Sequence, residues 1–425
     1  MPNPTGKNGH GVKQYPPDDI LKAHLVKNAS KRVKEKLLEI KKEFGLEISG
    51  ETLRKIERRL EVRTVRRNGL TEEEAVAAVI SQVEKDINQN NGPRFVKDVL
   101  ALQNILLPRN FIRNVMLEAC PEGFDKRVPS SRKQKIKRIA LTSIGPYAEF
   151  CADGHEKLAP QALKMGGNVG LPIYGYKDKF SGYVFLLKTI PDCRSAGAIG
   201  HLFLNMVEEL KHAPLQLTTD AGAETVWESA IQGSIREVFT PEVDVNSYPP
   251  HRTIPSVHNT PIEGFWPWWK LKMGLNARER ILSGEEAGLY NGDLQIHRNL
   301  FNWIFPRLLQ ESLDLFRDYW NSHRIRTQDK KLLPSGHIPS HVLVVPEEYG
   351  YIDCSVPVDQ DAIDEIRQHL TEEVGPAEDF FKWNDADFEE ICTQVHHDLE
   401  LPPITWENSW DIFTPMAREL RNLLE

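Results

Sequence analysis

No run of about 18 apolar residues occurs in the chain, so no transmembrane helix is expected. The opening stretch, MPNPTGKNGHGVKQYPPDD, has no apolar core of the kind a secretory signal needs. It is rich in Pro, Gly and polar residues, and residues 1–19 are expected to be disordered. Cysteine is scarce: there are five in 425 residues, an odd number with no CxxC pair. That excludes a cysteine-based zinc module and points to a reducing compartment. Internal repeats are also absent. The length exceeds one typical core and implies two to three domains.

Charge is unevenly distributed. Residues 1–150 carry 29 Lys and Arg against 19 Asp and Glu, whereas residues 151–425 carry 24 against 42. A basic front on an acidic body suggests that the front meets a polyanion. The front also has helical periodicity. From Ile20 to about Val62 one helix ends near Gly45, a short LEIS link follows, and Ser49 or Thr52 is placed to cap a second helix. That helix carries Arg54, Lys55, Arg58 and Arg59. Residues 71–90 form a further amphipathic helix, and a second pair follows around Pro108. Two tandem helix-turn-helix units over residues 20–126 are the preferred reading, with a plain helical bundle as the alternative. Residues 127–145 form a basic linker in which Lys133, Lys135, Lys137 and Arg138 are candidate phosphate contacts.

Beyond the linker the period changes to that of strands. PYAEFCAD reads as a strand ending in Asp153. LPIYGYKDKFSGYVFLLKTI reads as a hairpin turning at 178–182, whose apolar second arm suggests a central strand. A helix over 194–212, a strand over 215–220 ending in Asp220, and a helix over 223–239 complete an α/β layer. If the strands bearing Asp153 and Asp220 are neighbours, two carboxylates stand together and repel unless a cation lies between them. Oxygen-only ligands select hard ions such as Mg²⁺ or Mn²⁺. A third carboxylate is available in SVHNTPIEGFWPWWKLKMG, where Asn259 or Thr260 caps a helix with Pro261 in its first turn, leaving Glu263 to face the sheet. Each acid also has a plainer reading: Glu263 as the second half of a capping box, Asp220 as a turn former, and Asp153 as a strand-end residue. Lys270, seven residues after Glu263, would share its face and is a candidate DNA contact. His258 and Asn259 are candidates either for DNA contact or, for Asn259 especially, for capping. His155 is a phosphate contact or a structural residue. Trp266, Trp268 and Trp269 read as core more readily than as a stacking platform. Cys392 and His396, four residues apart, are a weak metal signal.

Five segments in order carry a resemblance: DGHEKL at 153–158, TTDAGAE at 218–224, SVHNTPIEGFW at 256–266, YWNSHRIR at 319–326 and PSGHIPSHV at 334–342. With them, residues 146–340 resemble the integrase core of the retroviral-integrase and DDE-transposase superfamily, in the version found in certain fungal and animal proteins. The resemblance implies an RNase H-like mixed sheet with flanking helices, preceded by the all-α region. It implies Asp153, Asp220 and Glu263 as the catalytic metal-binding acids. The implied reaction is phosphodiester cleavage followed by strand transfer on DNA, with Mg²⁺ or Mn²⁺, in a homo-oligomer (dimer or tetramer), in the nucleus if the host is eukaryotic, as the resemblance suggests, and otherwise in the cytoplasm. A domesticated descendant that binds DNA without catalysis is the alternative, and a hydrolytic nuclease using the same acids is a third reading. Residues 240–255 read as an insertion between the second and third acids. Pro267, four residues after Glu263, removes a helical hydrogen bond and is expected to kink that helix. The acidic region 341–425 contains a strand-like HVLVV and two helical stretches. It is expected to fold over the core, mask the basic front or recruit a partner.

Overall fold

The computed structural model describes residues 13–126, 141–255, 258–328 and 331–424. The linker candidates Lys133, Lys135, Lys137 and Arg138 lie outside the described residues, as do residues 1–12 of the expected disordered start. The chain divides into two compact units, residues 1–140 with 322–351, and residues 141–321 with 352–425.

In the first unit, helices α1 (Asp18–Lys27), α2 (Val33–Phe44) and α3 (Gly50–Arg59) close over Leu21, Leu25, Ile40, Leu53 and Ile56. Gly45 ends α2 in the left-handed region (φ 63°), and the Ser49 hydroxyl accepts from the Thr52 N–H to start α3, as the sequence predicts. Helices α4 (Glu72–Glu84), α5 (Pro93–Leu102) and α6 (Arg109–Ala119) pack around Val79, Val96, Leu100 and Ile112. The segment 322–351, which the sequence divides between core and tail, groups with these helices. A buried hydrogen bond and a partly buried ion pair hold it there. Glu39 takes both Lys31 (2.6 Å) and His341 (2.7 Å), and Glu35 takes the Arg324 guanidinium (2.6 Å). HVLVV is therefore no strand. It lies within a short helix, Pro339–Val344, whose His341 must face Glu39.

The second unit is built on a five-stranded sheet with strands β1 (Phe150–His155), β2 (Ile173–Asp178), β3 (Val184–Thr189), β4 (Leu217–Thr219) and β5 (His251–Thr253) in the order β3-β2-β1-β4-β5. The first three are antiparallel, and β4 and β5 join parallel to β1. Strand alternation divides the core. Phe150, Ala152, Tyr174 and Tyr176 face helices α7 (Ala196–Leu210) and α8 (Val226–Phe239). Cys151, Ile173, Val184 and Leu187 belong to the opposite layer, with Phe265, Trp266, Trp269 and the long helix Gln295–Ser322. Three expectations change. β1 continues two residues past Asp153. Residues 240–255 supply β5 instead of forming only an insertion. The apolar arm 184–189 is the edge of the sheet, not its centre.

That edge is apolar because the long helix covers it. The Asn321 amide accepts from the Val184 N–H and donates to the Val184 carbonyl, both at 2.8 Å. Gln310 accepts from the Thr189 N–H (3.1 Å) and donates to the Leu187 carbonyl (3.0 Å). Two side-chain amides thus take the place of a neighbouring strand. The acidic region beyond residue 352 also closes on this unit. Ile363 and Leu370 join the layer of α7 and α8, and Phe388, Cys392, Trp410, Phe413 and Met416 join the long helix. Cys392 is fully buried in that layer, and the His396 ring bonds the Pro402 carbonyl (3.0 Å), so their pairing is structural. Asn321→Leu is expected to leave a buried N–H and carbonyl unpaired and to cost about 3 kcal/mol, at roughly 1–3 kcal/mol per orphaned group, read as a lower urea midpoint with an unchanged m-value.

Candidate active site

β1 and β4 pair in parallel with Cys151 opposite Thr218. The same register carried forward sets Asp153 against Asp220, on the face that Cys151 shares with the tryptophan layer. Asp220 follows directly after β4 and is partly exposed. Glu263 is the last residue of a one-turn helix, Thr260–Glu263, that packs on β1 and β2.

Two side chains fix that turn, and a third holds Asp153. The Lys177 ammonium on β2 donates to the Pro261 carbonyl (2.7 Å) and lies over the Trp320 (5.1 Å) and Phe265 (5.6 Å) rings. Asn259 makes no side-chain cap. Its amide donates to the Ala152 carbonyl (2.9 Å), one residue before the first acid, so the expected capping role is replaced by a tie between helix and strand. Trp266 donates its indole N–H to Asp153 Oδ2 (2.8 Å) and stacks on the His155 ring, with centroids 4.7 Å apart and planes 19° apart. The indole reaches Asp153 because Gly175 lies opposite Asp153 on β2. A Cβ at Gly175 would come within 3.2 Å of the Trp266 ring and 2.9 Å of Leu187.

The helix does not continue straight from Glu263. Phe265 N–H bonds Ile262 and Trp268 N–H bonds Phe265, each three residues back, and a π turn spans Lys270–Gly274. The expected kink thus begins at Gly264, before Pro267. The argument that Lys270 shares the Glu263 face by α-helical spacing therefore fails. Lys270 instead lines a pocket with His155, Lys157, Leu158, Trp269 and Arg278. Trp266 and Trp269 are buried, as a core reading requires, while Trp268 is 52% exposed. His258 is exposed at the head of the turn. In the other unit, Arg54 and Arg58 are exposed on α3, and Arg59 forms an ion pair with Asp18 (2.7 Å).

Burial pushes the Asp153 carboxyl up to about 7. The Trp266 bond works against that shift, and the nearby charges of Glu263 and Asp220 add to it. Burial, with Lys157 and Lys270 nearby, pushes His155 down to about 4, so at neutral pH it is an uncharged ring under the indole. A further acid escapes sequence reasoning. Glu228, fully buried in α8, accepts from the hydroxyls of Tyr174 (3.0 Å) and Tyr176 (2.7 Å), and burial raises it to about 8, with Glu224 and Asp220 contributing. Two tyrosines spaced i, i+2 on one face of a buried strand were the available signal. Among the described residues, no group of three or more His, Cys, Asp or Glu is placed to hold a metal ion. The three acids are nonetheless close enough for their charges to raise the first.

A mixed sheet in this order, with helices on both faces, is the RNase H-like class. The family model described as an integrase core domain matches residues 152–335. Over that segment the chain is similar to the integrase core domains of the DDE superfamily. No curated protein matches the chain. Among the described residues no helix is long and apolar enough to cross a membrane.

Two outcomes test the site. Trp266→Phe removes a hydrogen bond to the charged form of Asp153, so its pKa is expected to rise further, read by carboxyl NMR titration of the metal-free protein. Folded Glu228 keeps its proton to about pH 8, whereas the unfolded chain releases it near the ordinary value of 4.5. Its contribution is therefore complete below about pH 4.5 and is lost as pH rises to about 8. The wild-type melting temperature is expected to fall over that window more steeply than that of Glu228→Gln.

Proposed function

We propose that the chain is a DNA polynucleotidyl transferase in which Asp153, Asp220 and Glu263 act together, the helical unit binding DNA through Arg54 and Arg58. The observation that carries this reading is the register between β1 and β4, which aligns Asp153 with Asp220 inside a segment of integrase-core type. The donor set fits Mg²⁺ or Mn²⁺: the ligands are carboxylate oxygens, and their mutual repulsion, which helps to raise Asp153, is what a hard cation relieves. Bound there, such an ion supplies Lewis-acid polarisation of a phosphoryl oxygen. The chain's own part is positional. Trp266 commits one oxygen of Asp153, Asn259 and Lys177 hold the turn bearing Glu263, and Lys157, Lys270 and Arg278 offer charge to a phosphate beside the acids. Working in pairs on two DNA ends, the protein would act as a homo-oligomer.

A specific observation favours a second reading, a DNA-binding descendant that no longer cuts. The helix carrying Glu263 stops there, and the turn after it is tightened. One experiment separates the two. Metal-dependent cleavage or strand transfer on DNA, including the gene's flanking sequences, is expected from the wild type. It should fall by more than about 100-fold in Asp220→Asn, because even outer partners of metal ligands are worth 10–100-fold. DNA binding without product in Mg²⁺ or Mn²⁺ would establish the second reading.

A further inference from the structure

Between residues 54 and 67 the chain carries seven Arg and Lys against two Glu. One of the two, Glu57, is buried against Lys36 (2.8 Å), which leaves Glu61 as the exposed acid of the stretch. After α3 the chain reverses at Glu61, in the left-handed region (φ 54°), and is pinned by buried Val62. It then doubles back. Thr64 and Arg67 exchange both backbone hydrogen bonds (3.2 and 2.9 Å), with Val65 and Arg66 at the tip of a two-residue turn. The Arg63 guanidinium ties the base of this turn to the Asn104 carbonyl (3.3 Å), on the link between α5 and α6.

The side chains at the tip have nothing to do in the fold. The Arg66 and Arg67 side chains are exposed and make no hydrogen bond or ion pair among the described residues, and Val65 is 43% exposed. On α3, Lys55 and Arg59 are engaged with Glu51 and Asp18, while Arg54 and Arg58 are not so paired. Arginine side chains on a turn closed by paired backbone hydrogen bonds thus stand in solvent without an acidic partner among the described residues. No aromatic residue occurs between 54 and 67, so the stacking platform that single-stranded nucleic acid requires is missing from this surface.

We propose that the Arg63–Arg67 turn is a second DNA-contacting element, in which Arg66 and Arg67 take backbone phosphates of the same duplex that α3 engages through Arg54 and Arg58. Phosphate contacts of this kind set register and affinity and carry no sequence information. The inference rests on the reading of the helical unit as a DNA binder and does not depend on the acids, so the two fail separately.

The test uses the full chain in EDTA, where cleavage plays no part, and the anisotropy of a labelled random-sequence duplex of about 30 base pairs, long enough to hold several phosphate contacts. The double variant Arg66→Ala/Arg67→Ala is expected to bind at least about tenfold more weakly at low salt. Its slope of log affinity against log salt should be shallower by about two, close to 0.9 per lost phosphate contact. Arg66→Glu alone, at the tip, should lose binding with an unchanged melting temperature, which separates lost contact from lost fold. Unchanged affinity and slope in both variants would overturn the proposal. So would tighter binding to single-stranded DNA or duplex RNA with the same dependence on these arginines.

Discussion

Everything around the candidate site follows from one difficulty: carboxylates have been brought to the end of a sheet whose two faces are otherwise apolar. Parallel pairing of β1 with β4 is what aligns Asp153 with Asp220, and it leaves the first acid half-buried, where desolvation raises its pKa. Charged groups in such surroundings require polar partners. The protein provides them sparingly. One indole N–H goes to Asp153, one amide goes to the Ala152 carbonyl, and one buried ammonium goes to the turn that carries Glu263. Each of these donors reaches the site from a different element. Hydrophobic layering in the sandwich and polar geometry at its end are therefore a single design. Gly175 shows this most directly, since its missing side chain is the space through which the indole reaches the acid.

Much of this was legible in advance where local chemistry decides it. The Gly45 stop, a cap at Ser49 or Thr52, the hairpin at 178–182 and strands running up to Asp153 and Asp220 were readable because periodicity and turn residues act over a few positions, whereas the pairing of the two acid-bearing strands stood only as a condition. The misreadings share another cause. β3 looked central because apolar residues imply burial but do not say by what, and here a helix covers the edge. HVLVV looked like a strand because its β-branched run outweighed a tertiary ion pair between His341 and Glu39, more than 300 positions apart in the sequence. Asn259 was given a capping role because Asn favours that place, yet a carbonyl from another strand claimed its amide. Trp266 and Glu228 were invisible as polar partners, since nothing local marks an indole or a buried glutamate for such work.

The division of the chain also departs from its linear order. Residues 322–351 leave the long helix and join the N-terminal helices through the Arg324–Glu35 ion pair and the buried His341–Glu39 contact, and the acidic stretch after 352 returns to the sheet unit. The acidic surplus of the C-terminal region is thus carried by a packed part of the sheet unit and not by a free tail. Both faces of the sheet depend on it. α7 packs against the helix Gln360–Val374, and the long helix shares its layer with Trp410, Phe413 and Met416.

The amide clamp on β3 bears on how copies of this chain can assemble. A sheet whose margin is free can grow by accepting a strand from a neighbour, and many dimers are made in that way. Here Asn321 and Gln310 already occupy the backbone groups of Val184, Leu187 and Thr189 that such a neighbour would need. The opposite margin is the three-residue β5, too short to template a lasting ladder. Neither margin of this sheet is thus a ready template for a strand from another chain, and the register that aligns the acids is closed off at both ends from such an addition.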